Sequence, residues 1–163
     1  MLAYLCCSLD SAGDDAKLWR RKLAPFLRDQ LGHRVHDPGE NPSRNLTEEE
    51  AANFHHWKAT DLDRFRRVMR KMIAFDLDLV ENKADYLICY WDASAGTPPG
   101  MPSELTIAYR KGIPVYLVAS VPIEQIGDWA LGCSDQLFSS VEDLKGFLSA
   151  RFSRERQTQL WKE

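Results

Sequence analysis

The chain has 163 residues, and 24 acidic against 21 basic side chains leave a formal charge of −3. With 44% apolar and 28% charged residues it is a globular chain rather than a disordered one. The lack of a basic surplus argues against a nucleic-acid polymer or a membrane surface as partner, and no apolar run approaches the roughly 20 residues of a membrane span.

In chain order, residues 2–8 form an apolar run of strand length. With no basic lead before it, this run is not a secretion signal, so the expected location is cytoplasmic. Leu18, Trp19, Leu23, Phe26, Leu27 and Leu31 recur at helical spacing over residues 14–31. Pro25 predicts a kink in that helix, and Gly32 a C-terminal cap. A short strand at Arg34–His36 is stopped by Asp37-Pro38-Gly39, a turn signal whose Asp37, with Asn41, is also a candidate contact for a sugar hydroxyl. Thr47 and Glu50 spell a capping box, opening a helix to about Trp57. A longer helix follows over residues 60–83, a strand over 85–91, and a loop over 93–102. Pro102 fits the first turn of a helix ending at Gly112. Strands at residues 114–119 and 136–138 and a last helix from about Ser140 to Leu160 complete the chain. Short apolar strands alternating with helices predict one α/β domain over residues 1–163, a flavodoxin- or Rossmann-like doubly wound parallel sheet of about five strands with helices on both faces. Ligands of such sheets bind at the carboxyl ends of the strands.

Two acids stand out against this frame. The helix 60–83 carries an apolar stripe at Leu62, Phe65, Met69, Met72, Ile73 and Val80, and Asp76 falls on it, while Asp78 points elsewhere. A carboxylate on an inward face is costly unless it is paired or hydrogen-bonded. Glu104 lies in a helix first turn, three before Ile107 and four before Ala108, where the helix dipole favours an ionised carboxylate. One carboxylate as nucleophile and a second as proton donor is the equipment of glycosyl chemistry. Both acids also admit structural readings, as a bonded helix residue and a first-turn cap.

The four cysteines, Cys6, Cys7, Cys89 and Cys133, contain no CxxC pair. They read as buried thiols, with a nucleophilic Cys7 as the alternative. His55-His56 lacks companion ligands at metal spacing, and neither metal nor cofactor is expected. On the last helix Arg151, Arg154, Arg156 and Lys162 with Phe152, Leu160 and Trp161 suit either a solvated face or a subunit contact.

Four segments in order resemble the nucleoside 2-deoxyribosyltransferase family and its nucleotide N-glycosidase relatives. They are Tyr4-Leu5-Cys6-Cys7-Ser8; Asp76-Leu77 with Val80 and Ala84-Asp85; the strand ending at Asp92; and Gly100-Met101-Pro102-Ser103-Glu104-Leu105 with Ala108, Gly112, Ile113 and Pro114. The chain differs from the family pattern at Cys6-Cys7, where small residues are usual, and at Gly100-Met101, where the family has Gly-Thr. The resemblance implies that Glu104 forms a covalent deoxyribosyl-enzyme, that Asp76 is the acid or base at the nucleobase, and that Tyr4 hydrogen-bonds the nucleophile. It further implies that Asp92 lies in the nucleobase pocket, that Ser8, Gly100, Met101 and Ser103 contact substrate, and that the protein is a homo-oligomer. The expected partners are a nucleoside or nucleotide and a free nucleobase. Asp10, Asp14 and Asp15 crowd the first loop and favour an unphosphorylated nucleoside, although Ser8, Ser11 and Ser103 could donate to a phosphate. Exchange and hydrolysis of the N-glycosidic bond both stay open, as do a nucleoside 5′-monophosphate N-glycosidase and a non-catalytic nucleotide-sensing module.

Overall fold

A computed structural model describes residues 1–6, 14–40, 45–92 and 101–160, with the backbone alone for 14–17, 101–102 and 154–160. Five strands, β1 (Leu2–Cys6), β2 (Arg34–His36), β3 (Tyr86–Trp91), β4 (Val115–Ala119) and β5 (Gln136–Phe138), form one sheet in the order β2-β1-β3-β4-β5. Every pairing is parallel. The helices are α1 (Asp14–Pro25), α2 (Glu48–Thr60), α3 (Leu62–Asn82), α4 (Met101–Lys111), α5 (Asp128–Cys133) and α6 (Val141–Leu160). Strand order reverses between β1 and β3. The chain leaves β1 outward to β2, crosses back to β3, then winds on to β4 and β5, which is the doubly wound arrangement expected from the sequence.

The period-two alternation of side chains divides the strands between two layers. Tyr4, Cys6, Leu87, Cys89, Leu117 and Ala119 face Leu79 and Val80 of α3, Leu105 and Ala108 of α4, and Ala130 and Cys133 of α5. Ala3, Leu5, Tyr86, Ile88, Tyr116 and Val118 face Trp19, Leu23 and Leu27 on one side and Val141, Leu144, Leu148 and Phe152 of α6 on the other. Phe152 is therefore a core residue, 4% exposed, and not part of a subunit surface.

Local chemistry explains most element ends. Pro25 has no N–H and its ring crowds the preceding turn, and directly after it the helix widens into a π-helical turn over Phe26–Gln30. Gly32 and Gly112 both take positive φ, 69° and 66°, at helix C-termini. The capping box forms as read: the Thr47 side chain accepts from the Glu50 N–H, and the Glu50 carboxylate accepts from the Thr47 N–H. Two aspartates preceding strands pin the neighbouring strand's start. Asp85 accepts from the Leu2 N–H, and Asp135 accepts from the Val115 N–H.

Three expectations are corrected. A 3₁₀ turn (Ile123–Gln125) and α5 occupy residues to which the sequence reading assigns no element. Leu62 and Ile73 are each 49% exposed and lie off the inner stripe of α3, which runs through Val68, Met72, Phe75, Leu79 and Val80. Asp37 is a structural residue rather than a sugar contact: it is buried, 3.4 Å from the Arg20 guanidinium, and accepts from the Gly39 N–H. Among the described residues no helix is long and apolar enough to cross a membrane.

Candidate functional site

Strand order reverses between β1 and β3, and in sheets of this kind the carboxyl ends of the strands at the reversal are where ligands bind. α3 enters β3 and α4 leaves it, and both pack on the sheet face that carries Tyr4 and Cys6. Glu104, half-buried in the first turn of α4, extends over β1. The Tyr4 hydroxyl donates to its Oε1 at 2.7 Å, and the Cys6 thiol donates to its Oε2. Both donors come from one strand because positions two apart share a face.

Tyr4 is completely buried. Burial pushes its phenol far above the ordinary tyrosine range, and the negative charge of Glu104 raises it further, with smaller contributions from Cys6 and Asp76. The phenol is thus a permanent donor. Asp76 is half-buried on α3, close enough for its charge to act on the same hydroxyl. Of the two acids singled out in the sequence, Glu104 on α4 is hydrogen-bonded to Tyr4, and Asp76 on α3 reaches the same phenol only through its charge. The Tyr4 ring lies against its register neighbour His36 on β2, with centroids 5.1 Å apart and planes inclined by 24°, and His36 in turn meets Phe75, the residue before Asp76.

Cys6 is fully buried, and its thiol is held well above the usual range by a hydrogen bond with Cys89, by burial and by the charge of Glu104. It stays a neutral S–H and is no nucleophile. Cys7, the thiol considered for that role, lies outside the described residues, as do Ser8, Gly100 and Asn41.

Asp92 stands half-buried immediately after β3, at the same sheet edge. Met101 opens α4, and only its backbone is described. Ser103 is exposed and lines an open groove of about 480 Å³ with Thr106, Ile107 and Trp129, on the flank of α4 that faces α5. It is not among the residues gathered around Tyr4. The Trp129 indole N–H donates to Thr106 Oγ1 at 2.8 Å across this groove.

Sequence reasoning missed Cys6 as a partner of Glu104 and His36 as the platform under Tyr4. The spacing of Tyr4 and Cys6 carried the first signal. The position of His36 at the end of a strand adjoining β1 carried the second.

The site's chemical capacity follows from these contacts. A carboxylate held by two buried neutral donors can support attack at an electrophilic carbon.

No family model and no curated protein matches the chain. Among solved structures it is similar to the Vibrio vulnificus NanR protein complexed with ManNAc-6P, at a TM-score of 0.46 and 8% identity, over 95% of this chain and 51% of that one. The chain thus spans about half the length of that structure.

Proposed function

We propose that this protein cleaves or exchanges the N-glycosidic bond of 2′-deoxynucleosides through a covalent deoxyribosyl-enzyme on Glu104. The observation that carries the reading is the grip of Tyr4 on the Glu104 carboxylate at the strand-order reversal. The resemblance of residues 2–119 to the nucleoside 2-deoxyribosyltransferase family supports it independently of that geometry.

In the first step a Glu104 oxygen attacks the anomeric carbon as the carbon–nitrogen bond to the base breaks. Asp76 delivers a proton to the departing base nitrogen. In the second step Asp76 takes a proton from the incoming nucleophile, whose atom bonds to the anomeric carbon and releases Glu104 as carboxylate. A second nucleobase completes exchange, and water completes hydrolysis. Tyr4 keeps its proton throughout. It fixes one carboxylate oxygen while the other oxygen's outer lone pair, or the remaining lone pair of its own partner, faces the sugar.

Incubation with a panel of deoxynucleosides, with and without a free base, tests the reading by chromatography of released and exchanged bases. Turnover lost in Glu104→Gln and Glu104→Ala is the expected result. Equal absence of turnover in wild type and variants across the panel refutes it. Ligand-dependent stabilisation without turnover would instead assign the fold to nucleotide sensing.

A further inference from the structure

β1 presents two donors to a single carboxylate. The phenol of Tyr4 takes Oε1 of Glu104, the thiol of Cys6 takes Oε2, and both residues are fully buried. A carboxylate anchored through one oxygen can still turn about its last carbon–carbon bond. Anchored through both oxygens by groups on one strand, it has its plane set by the sheet. Beyond its packing volume, the sulfur adds a proton. Cys89 is the register partner of Cys6 on β3.

We propose that Cys6 is a positioning residue for Glu104, its S–H fixing the second carboxylate oxygen. The inference rests on reading Glu104 as the nucleophile, but its test needs no turnover. The groups bonded to the carboxylate are Tyr4 and Cys6, and both donors stay protonated across the acid range.

Two measurements decide it. The first is the infrared S–H stretch of Cys6, isolated as wild type minus Cys6→Ala. It is expected at lower frequency than an unbonded thiol, returning to the unbonded position in Glu104→Ala. The second is the carboxyl titration of Glu104, followed by carbon NMR in an Asp76→Asn background and assigned with Glu104→Gln. Cys6→Ala should move its midpoint upward by about half to one pH unit, and Cys6→Ser should restore it. A residue that merely fills space would move neither signal. An unbonded S–H frequency in wild type, or a midpoint unchanged in folded Cys6→Ala, overturns the proposal. Absence of glycosidic turnover with both signals as expected would fail the functional reading and leave the thiol–carboxylate assignment standing.

Discussion

Replacing Tyr4 by Phe removes one hydroxyl and little else. The ring keeps its place against His36, and Glu104 keeps the Cys6 thiol on Oε2. What disappears is the 2.7 Å hydrogen bond to Oε1. A hydrogen bond to a charged group contributes about 1.5–3 kcal/mol. The carboxylate gives up its charge to the sugar as the glycosyl bond forms, so part of that contact is already spent in the transition state. The loss is then one of orientation, and kcat/KM should fall roughly ten- to hundredfold. Glu104→Gln should fall much further, because the amide cannot form the ester. The double variant should be no slower than Glu104→Gln alone, since the phenol acts only through the carboxylate. Base release at saturating and at low substrate gives these ratios, and urea unfolding checks that each variant is folded. Tyr4→Phe within threefold of wild type would refute the idea that the phenol orients the nucleophile.

Three further outcomes test the scaffold. Asp37→Ala strips the carboxylate facing Arg20, both side chains being only 6–7% exposed, and should cost about 3 kcal/mol or more, whereas Arg20→Met combined with Asp37→Ala should recover part of that loss; additive losses in urea unfolding would contradict it. Gly112→Ala forces a side chain onto φ 66° and should lower Tm by several degrees, while Gly146→Ala, inside α6 with nothing within 4 Å of the added carbon, should raise it by about 2–4 °C. Asp143 is held below the usual carboxylate range by hydrogen bonds from Ser139 and then Ser140. Its folded value is therefore the lower one, so its contribution is complete above the unfolded value near 3.9 and is lost as pH falls through the folded value. Chemical unfolding of wild type and Asp143→Asn should differ at pH 6 and converge near pH 2; a gap of equal size at both would show that the carboxylate's charge contributes nothing.

Local chemistry in the sequence carried the fold a long way, and its failures have identifiable causes. Strand runs, the Thr47 capping box and the two helix-ending glycines depend on neighbours a few residues away. α5 has only six residues, too few for a period; Gly127 precedes it and Gly132 lies inside it. Long-range packing organises that segment instead: Ile126, Ala130 and Cys133 are buried against the sheet, and the Trp91 indole N–H donates to the Gln125 carbonyl. Ile73 fails for a different reason. α3 has two inner faces, one in its first half meeting Trp57 of α2 and one in its second half meeting the sheet, and a single stripe drawn along 21 residues cannot serve both.

The candidate site divides along the same line. Asp76 and Glu104 are visible as carboxylates at inward positions, since helical spacing is local information. That they act on one phenol depends on β1 lying beside β3, a pairing across more than 80 residues that no spacing rule reaches. The order of elements supplied what spacing could not: a helix entering β3 and a helix leaving it both lie on the face of β1 where Tyr4 and Cys6 point. Cys6 escaped notice because hydropathy describes a thiol as apolar filler. Only the contact with Glu104 distinguishes a sulfur that fills space from one that holds a carboxylate in place.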